Sequence, residues 1–441
     1  MLEKIEKILF YVFLFLIPFQ IRIFLHNNGN EWNSAFLYLG DLVLMAVLGL
    51  WILRRGIKFD KKDILLLLFL GISAISLLVT SSLGISAFRF VKLLEFILLF
   101  IYVCKNASSL GAYKILQIIF YSGVFQAILA VVQFIKQGSI GIKFIEAGTF
   151  APNLAGVANF VLNKENIMRS YGSFTHPNVL AGFLLLAIFA FYGLLLKNGI
   201  KIDLKPRNLF LVSCFLFLIF GLFLTFSRTA IIIFLAMSLL MFLIEFIKLR
   251  KLEHTEQRLD NGKKLINLFI LVVVSCMVVI MVLFPYIKAR FFTITFEEQA
   301  VDLRFFYNKI ALSMIKDNPI LGIGVGNFVN YSQNYQMFLR AAVKVSGVNS
   351  QTLPDWIFQP VHNIYLLIAS EIGIFGLLVF LGFICLTLLR GIKEVFGPGF
   401  TSYLFFIVAC FLIIALTDHY FLTLQSGGIM FWISLALIQK Q

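Results

Sequence analysis

Apolar residues in this chain neither alternate nor keep to one helical face. They run on in blocks of ~20 residues, the length a helix needs to cross a hydrocarbon core. By that criterion there are about twelve blocks. They lie near residues 7–25, 35–53, 62–80, 86–104, 113–135, 178–196, 208–226, 229–247, 265–286, 362–389, 400–418 and 420–438. Such runs exclude a β-barrel, whose strands alternate polar and apolar residues. The pattern predicts an all-α polytopic membrane protein with about twelve transmembrane helices, one integral membrane domain over 1–441. The first block, ILFYVFLFLIPFQIRIFL, is too long for a signal-peptide core and lacks a small-residue cleavage site. It is expected to stay as a helix.

The polar connections then assign sides. RRGIKFDKK (54–62), KNGIKIDLKPR (197–207) and residues 248–264 are strongly basic, whereas HNNGNEWNS (26–34) and TSSLGIS (80–86) carry no Lys or Arg. Short basic loops stay on the cytoplasmic side. Both termini are therefore expected inside, as an even number of spans requires. The two long connections, 136–177 and 287–361, fall on the outer face. Long loops translocate largely regardless of charge. Within the second, DLRFFYNKIALSMIKDN (302–318) predicts an amphipathic helix stopped by Pro319. Its Phe305, Ile310, Met314 and Ile315 would lie on the membrane surface or close over a cavity. No internal repeat is visible, which weighs against an inverted-repeat transporter.

Composition strengthens the membrane reading: 60% of the 441 residues are hydrophobic and mean hydropathy is +0.95. The net charge of +15 would suggest nucleic acid in a soluble protein. Here the basic residues cluster in short connections, where they set topology and meet anionic lipid headgroups, so no nucleic-acid partner is expected. The five cysteines form no CxxC pair, so neither a disulfide framework nor a metal site is indicated. GIGVG (322–326) lacks dinucleotide-binding spacing, and its glycines suit a tight loop or close backbone approach. No nucleotide-phosphate motif is present.

Ionisable residues within spans are costly and so are candidates for chemistry. Arg228, in FLTFSRTAIIIFL, sits at a very tight turn between two blocks. It reads either as a snorkelling interfacial arginine or as an anion site, since its planar fork fits phosphate. Arg89 and Lys92 share one helix face, with Glu95 a turn further in to neutralise Lys92. Arg304, on the amphipathic segment, is a further cation on the same side. His362, in FQPVHNIYLLIASEIG, follows Pro360 at the mouth of a span. Neutral imidazole suits proton abstraction near neutral pH. Glu371 is not its partner: nine residues of helix turn the two apart, with ~13.5 Å between them along the axis. Glu371 is expected to pair with a cation or backbone group on another helix. Asp418 and His419 lie at another helix end and would line the same cavity. His176, in YGSFTHPNVLAG, is read as structural, with Pro177 in the first helical turn and Thr175 or Ser173 as a cap. Cations and a histidine thus gather on one side of the membrane, which suits an anionic lipid-linked substrate.

SRTA (227–230), the run DLRFFYNKIALSMIKDNPILGIGVGNF (302–328) and VHNIYLLIASEIGIFGLL (361–378) resemble the bacterial O-antigen ligase and polymerase family. YGSFTHPNVLAGFLLL (171–186) and DHYFLTLQSGGIMFW (418–432) are similar to flanking segments of that family. The likeness runs over 170–438, with the loop 287–361 between SRTA and HN. It implies a glycosyltransferase of the multi-span type in the bacterial inner membrane. Such an enzyme moves a glycan from a polyprenyl-pyrophosphate carrier to an acceptor hydroxyl on the outer face, in cell-surface polysaccharide biosynthesis. The acceptor would be a lipid-core sugar, a glycan chain or a protein. By the same analogy His362 is the base, and Arg228, Arg304 and, with less support, Arg89 bind the pyrophosphate. Glu371 and Asp418 are supporting residues, and no metal or cofactor is expected. The competing reading is a flippase of lipid-linked oligosaccharide, which should show internal pseudo-symmetry and charges along a path from both sides.

Overall fold

Proline cuts the first apolar block short. In the computed structural model, helix α1 (Leu2–Leu16) ends before Pro18. The chain then pairs Arg22–His26 (β1) with Ala35–Tyr38 (β2) in an antiparallel hairpin. The spans expected at 7–25 and 35–53 are corrected accordingly: each gives residues to this hairpin. Proline lacks the N–H the helix needs, and the Asn/Gly-rich segment 26–34 supplies the turn. The structure describes residues 1–57, 59–154, 156–198, 205–251, 256–292, 299–335, 357–396 and 402–439. Parts of the basic connections 54–62, 197–207 and 248–264, and of the long loop 287–361, lie outside them.

Every other expected block also holds a helix. These are α2 (Leu39–Arg55), α3 (Ile64–Ser76), α4 (Leu83–Leu110), α5 (Ala112–Lys136), α6 (Pro177–Asn198), α7 (Pro206–Leu224), α8 (Arg228–Lys251) and α9 (Glu256–Phe292). After the second long connection, with α10 (Gln299–Asp317) and the short α11 (Phe328–Ser332), come α12 (Ile364–Phe396) and α13 (Ser402–Ile414). The one-turn α14 (Tyr420–Thr423) and α15 (Gln425–Gln439) complete the bundle. Five helices (α5, α6, α8, α9 and α12) are long and apolar enough to cross a membrane, and shorter apolar helices lie beside them. The polytopic membrane class follows.

Helix α6 is the axis of the packing. It is apolar all round, and such a helix must be surrounded by protein or lipid. Here it is wholly buried, against α5, α7 and α13. Small residues let these helices approach closely, as is common between membrane helices. A Cβ added to Gly123 would lie 2.3 Å from the Ala187 Cβ.

The second long connection folds back into a break in α12. Gly373 has φ 82° and ψ 174°, outside helical space. The break frees backbone groups, and the connection satisfies them. Ile323 N–H donates to the Ser370 carbonyl and Gly324 N–H to the Glu371 carbonyl, both at 2.9 Å, while Ile374 N–H donates to the Pro319 carbonyl at 2.9 Å. Non-helical backbone at membrane depth is tolerated only where protein surrounds it in this way. The Glu371 carboxylate adds two more bonds, from Gly326 N–H (2.8 Å) and Phe328 N–H (3.1 Å). Its expected partner is therefore a set of backbone groups. Glycine is required on both sides of the clamp: a Cβ on Gly373 would lie 1.9 Å from the Ile320 carbonyl oxygen, and one on Gly322 2.5 Å from the Glu371 carbonyl carbon.

Glu371→Ala should lower stability by about 2 kcal/mol, since two inward-facing N–H groups lose their acceptor. Glu371→Gln should cost less, because one oxygen remains. Thermal unfolding of the detergent-solubilised variants measures both, and equal midpoints for wild type and alanine variant would refute the clamp.

Candidate active site

Four elements bring arginines to one end of the bundle. Arg228 is the first residue of α8, reached through a turn in which Phe226 takes φ 46°. Positive φ is costly for a bulky residue, and such strain concentrates at functional sites. Arg304 projects from α10. Arg290 comes from the last turns of α9. At ~1.5 Å per residue this helix is about 55 Å long, more than a hydrocarbon core requires. The segment 287–292, expected to be loop, is thus helix. Arg169 follows a hairpin hidden in the first long connection, Asn159–Leu162 (β3) paired with Glu165–Met168 (β4). Its two-residue turn places Asn163 and Lys164 at positive φ, the backbone of a tight hairpin.

Arg169 senses the other three. Burial first, then Arg290, Arg304 and Arg228, pull the Arg169 pKa down to about 9, so it stays cationic at neutral pH. Arg169 is held by the Thr225 carbonyl and by Asn178 Oδ1, both at 2.7 Å. Asn178 passes the link on, donating to Asp418 Oδ2 at 2.9 Å. A cavity of about 230 Å³ opens among Asn178, Ser227, Thr229, Arg304 and Asp418. It lies at the start of α8, where backbone N–H groups also favour an anion.

The histidines stand next to this cavity. His362 precedes α12 by two residues rather than beginning it. Its ring stacks on Tyr307 (5.8 Å between centroids, 16° between planes) and meets His419 edge-on at 4.8 Å. Tyr307 and Arg304 are three residues apart on α10, so one helix supplies both. The amphipathic helix expected over 302–318 is present. Ile310, Ala311 and Met314 of its buried face pack with Val361 and Leu367, while Phe305 is exposed. The His362 Nδ1 atom is buried with no hydrogen-bond partner among the described residues. Burial lowers the His362 pKa to about 4 against the opposing pull of Asp418, so its imidazole is neutral at pH 7. His419 and His176 are each lowered to about 3, again chiefly by burial. For Asp418 burial works the other way, but His362, His419 and Arg304 hold its pKa down to about 2.

The structure thus brings together His362, Arg228, Arg304 and Asp418, all singled out from sequence. It adds Arg169, Arg290 and Asn178, which sequence reasoning missed. Arg89 lies elsewhere: its guanidinium donates to the carbonyls of Thr423 (2.8 Å) and Trp32 (3.1 Å), in the wall of a second cavity. His176 is structural as expected, but it caps α6 itself, its Nδ1 accepting from Asn178 N–H at 3.1 Å. Ser173 instead accepts from Gln126 Nε2.

Residues 213–381 match the family model described as O-antigen ligase. The matched stretch contains Arg228, Arg290, Arg304, His362 and Glu371, whereas Arg89, Arg169, Asn178 and Asp418 lie outside it. No curated protein matches the chain significantly.

Two outcomes follow from the charges. Inorganic pyrophosphate at ~100 times its dissociation constant should stabilise the folded protein by about 2.7 kcal/mol, and Arg304→Gln should largely abolish that gain. Thermal unfolding with and without the anion reads both, and an unchanged midpoint in the wild type would exclude an anion site. Stability should also fall with acid. The unfolded chain protonates its histidines near 6.5, the folded chain only near 4 for His362 and 3 for His176 and His419. Between these values the unfolded state binds more protons, so stability is complete above pH 6.5 and is lost as pH drops through 4 to 3. A flat unfolding midpoint from pH 7 to 4 would contradict the buried neutral imidazoles.

Proposed function

We propose that this chain, a member of the O-antigen ligase family through its segment 213–381, transfers a glycan from a polyprenyl-pyrophosphate carrier to an acceptor hydroxyl. Family membership supports a glycosyl-transferring role in cell-surface polysaccharide synthesis. The donor and the residue roles are our reading. The observation that carries it is the convergence of Arg169, Arg228, Arg290 and Arg304 beside a neutral histidine.

The chemistry follows from that pairing. The acceptor hydroxyl gives its proton to the His362 imidazole as its oxygen attacks the anomeric carbon of the donor sugar. The bond from that carbon to the phosphate oxygen breaks, and its electron pair leaves on the pyrophosphate. Fixed arginines stabilise the charge that develops there, and they need no reorganisation to do so. Asp418 favours the protonated imidazole that results and, through Asn178, steadies Arg169. An anion bound nearby raises the pKa of His362 further, so the base strengthens once the donor is in place.

The reading places the protein in the inner membrane of a bacterium, with both termini in the cytoplasm and the arginine end of the bundle on the outer face. Glu165, exposed on β4, offers a test. A cysteine there should react with an impermeant thiol reagent added outside; reaction only from the cytoplasm would invert the scheme.

His362→Ala should abolish transfer of a defined lipid-linked oligosaccharide while leaving protein abundance unchanged. Full activity in that variant would remove the base from the mechanism. Arg228→Lys keeps the charge but loses the planar fork. Donor affinity should drop about tenfold, the equivalent of one charge-assisted hydrogen bond, and an unchanged donor KM would rule out recognition by the fork.

A further inference from the structure

A second and larger cavity has Trp32 in its wall, a ring that touches the imidazole pair. Trp32, in its wall, meets His419 edge-on at 4.9 Å between ring centroids, and His419 meets His362 at 4.8 Å. The cavity is thus separated from the proposed base by the His419 ring, and its lining does not include Arg169, Arg228, Arg290 or Arg304.

The charges in its wall are already engaged. Glu31 pairs with Arg22 at 2.6 Å. Arg89 donates to two carbonyls. Lys92 is bound by Asp41 and by Glu95, the latter at 3.1 Å. Glu371 accepts from the Gly326 and Phe328 N–H groups. Gln425, 7% exposed, is different. Its amide nitrogen donates to Asp41, but its Oε1 is buried with no hydrogen-bond partner among the described residues. A buried acceptor without a donor is costly unless a ligand or water supplies one. Aromatic rings such as Phe36, Tyr38 and Phe328 complete the wall.

We infer that this cavity is the acceptor subsite and that it takes an uncharged sugar, packed on Trp32 and donating a hydroxyl to Gln425 Oε1. The assignment rests on the transferase reading above. Polyhydroxylated rings present both the apolar face that suits aromatic walls and the donors that Gln425 lacks. An acidic or phosphorylated sugar would meet the carboxylates of Glu31 and Glu371, while the cations beside them are already bound. The acceptor would thus approach His362 from the side opposite the pyrophosphate. The two substrates would then meet only at the imidazole, as a displacement requires.

The test uses the purified full chain in lipid nanodiscs, with lipid-linked glycan donor and acceptor extracted from the source membranes. Trp32→Ala and Gln425→Leu should each raise the acceptor KM about tenfold while the donor KM stays within twofold, which also reports that the variants are folded. Trp32→Phe should recover most of the loss. In the wild type, raising salt from about 50 to 500 mM should leave the acceptor KM unchanged and raise the donor KM, because only the anionic ligand is screened. Unchanged acceptor KM in both alanine and leucine variants, or an acceptor KM that climbs with salt, overturns the assignment while leaving the transferase reading intact. If the wild type transfers no glycan at all, the transferase reading itself fails and this inference falls with it.

Discussion

One buried cation sets the constraint on the proposed site: Arg169 is buried beside three half-buried arginines. Arg228, Arg290 and Arg304 act on Arg169 at one end of an otherwise apolar bundle. No bundle gains stability from that arrangement by itself: charges taken from water cost several kcal/mol each unless well compensated. The surroundings show how the cost is contained. Arg169 is tied to the Thr225 carbonyl and Asn178, and Asn178 reaches Asp418. Asp418, the carboxylate in the lining of the smaller cavity, is kept ionised well below its usual range. On the proposed reading, an incoming anion offsets the charge of these arginines. Such a site binds a dianion most tightly as charge accumulates on it, which is how a leaving group is stabilised more than a bound substrate.

That electrostatic arrangement needs rigid supports, and one helix provides two. His362 stands just ahead of α12, where backbone is free to adapt; Glu371 stands within it, just before the break at Gly373. The break would be ruinous in lipid. It is stable because the segment around Gly322 and Gly324 exchanges backbone hydrogen bonds with it. The same segment is continuous with α10, which carries Arg304 and Tyr307. The clamp at Glu371 therefore fixes, through a short stretch of chain, the lid that brings a cation to Asp418 and a ring against His362. The histidine performs the proposed chemistry and the glutamate holds the architecture that aims it.

Much of this was legible in the sequence, for physical reasons. Helices in an apolar solvent must satisfy their own backbone, so runs of ~20 apolar residues translate directly into helices. His362, Arg228, Arg304 and Asp418 were visible because charge is rare in such runs. What was missed followed different rules. The first block concealed a hairpin because hydropathy cannot tell an exposed apolar strand from a span; Pro18 was the signal. Arg169 was lost in a long polar connection, where one arginine carries no surprise. The Asn163–Lys164 turn between two short apolar strands, just before MRSYG, was the available clue. Arg290 was assigned to loop because hydropathy ends before the helix does. Arg89 was visible as a charge, but nothing in its spacing could reveal that two carbonyls already occupy its donors.

That last point separates the two cavities by chemistry rather than by shape. Both have arginine in the wall, Arg304 in the smaller and Arg89 in the larger. Beside the smaller, burial and then Arg290, Arg304 and Arg228 depress the pKa of Arg169. In the larger, each charged group faces a protein partner of its own, and the open valence is a neutral amide oxygen. Ligand preference follows from what is left unsatisfied, since groups already bonded within the protein gain little from a ligand. On the proposed reading an anion takes the first side and an uncharged hydroxyl the second. The neutral imidazoles of His362 and His419 lie between the two, and on the proposed reading that of His362 takes the proton.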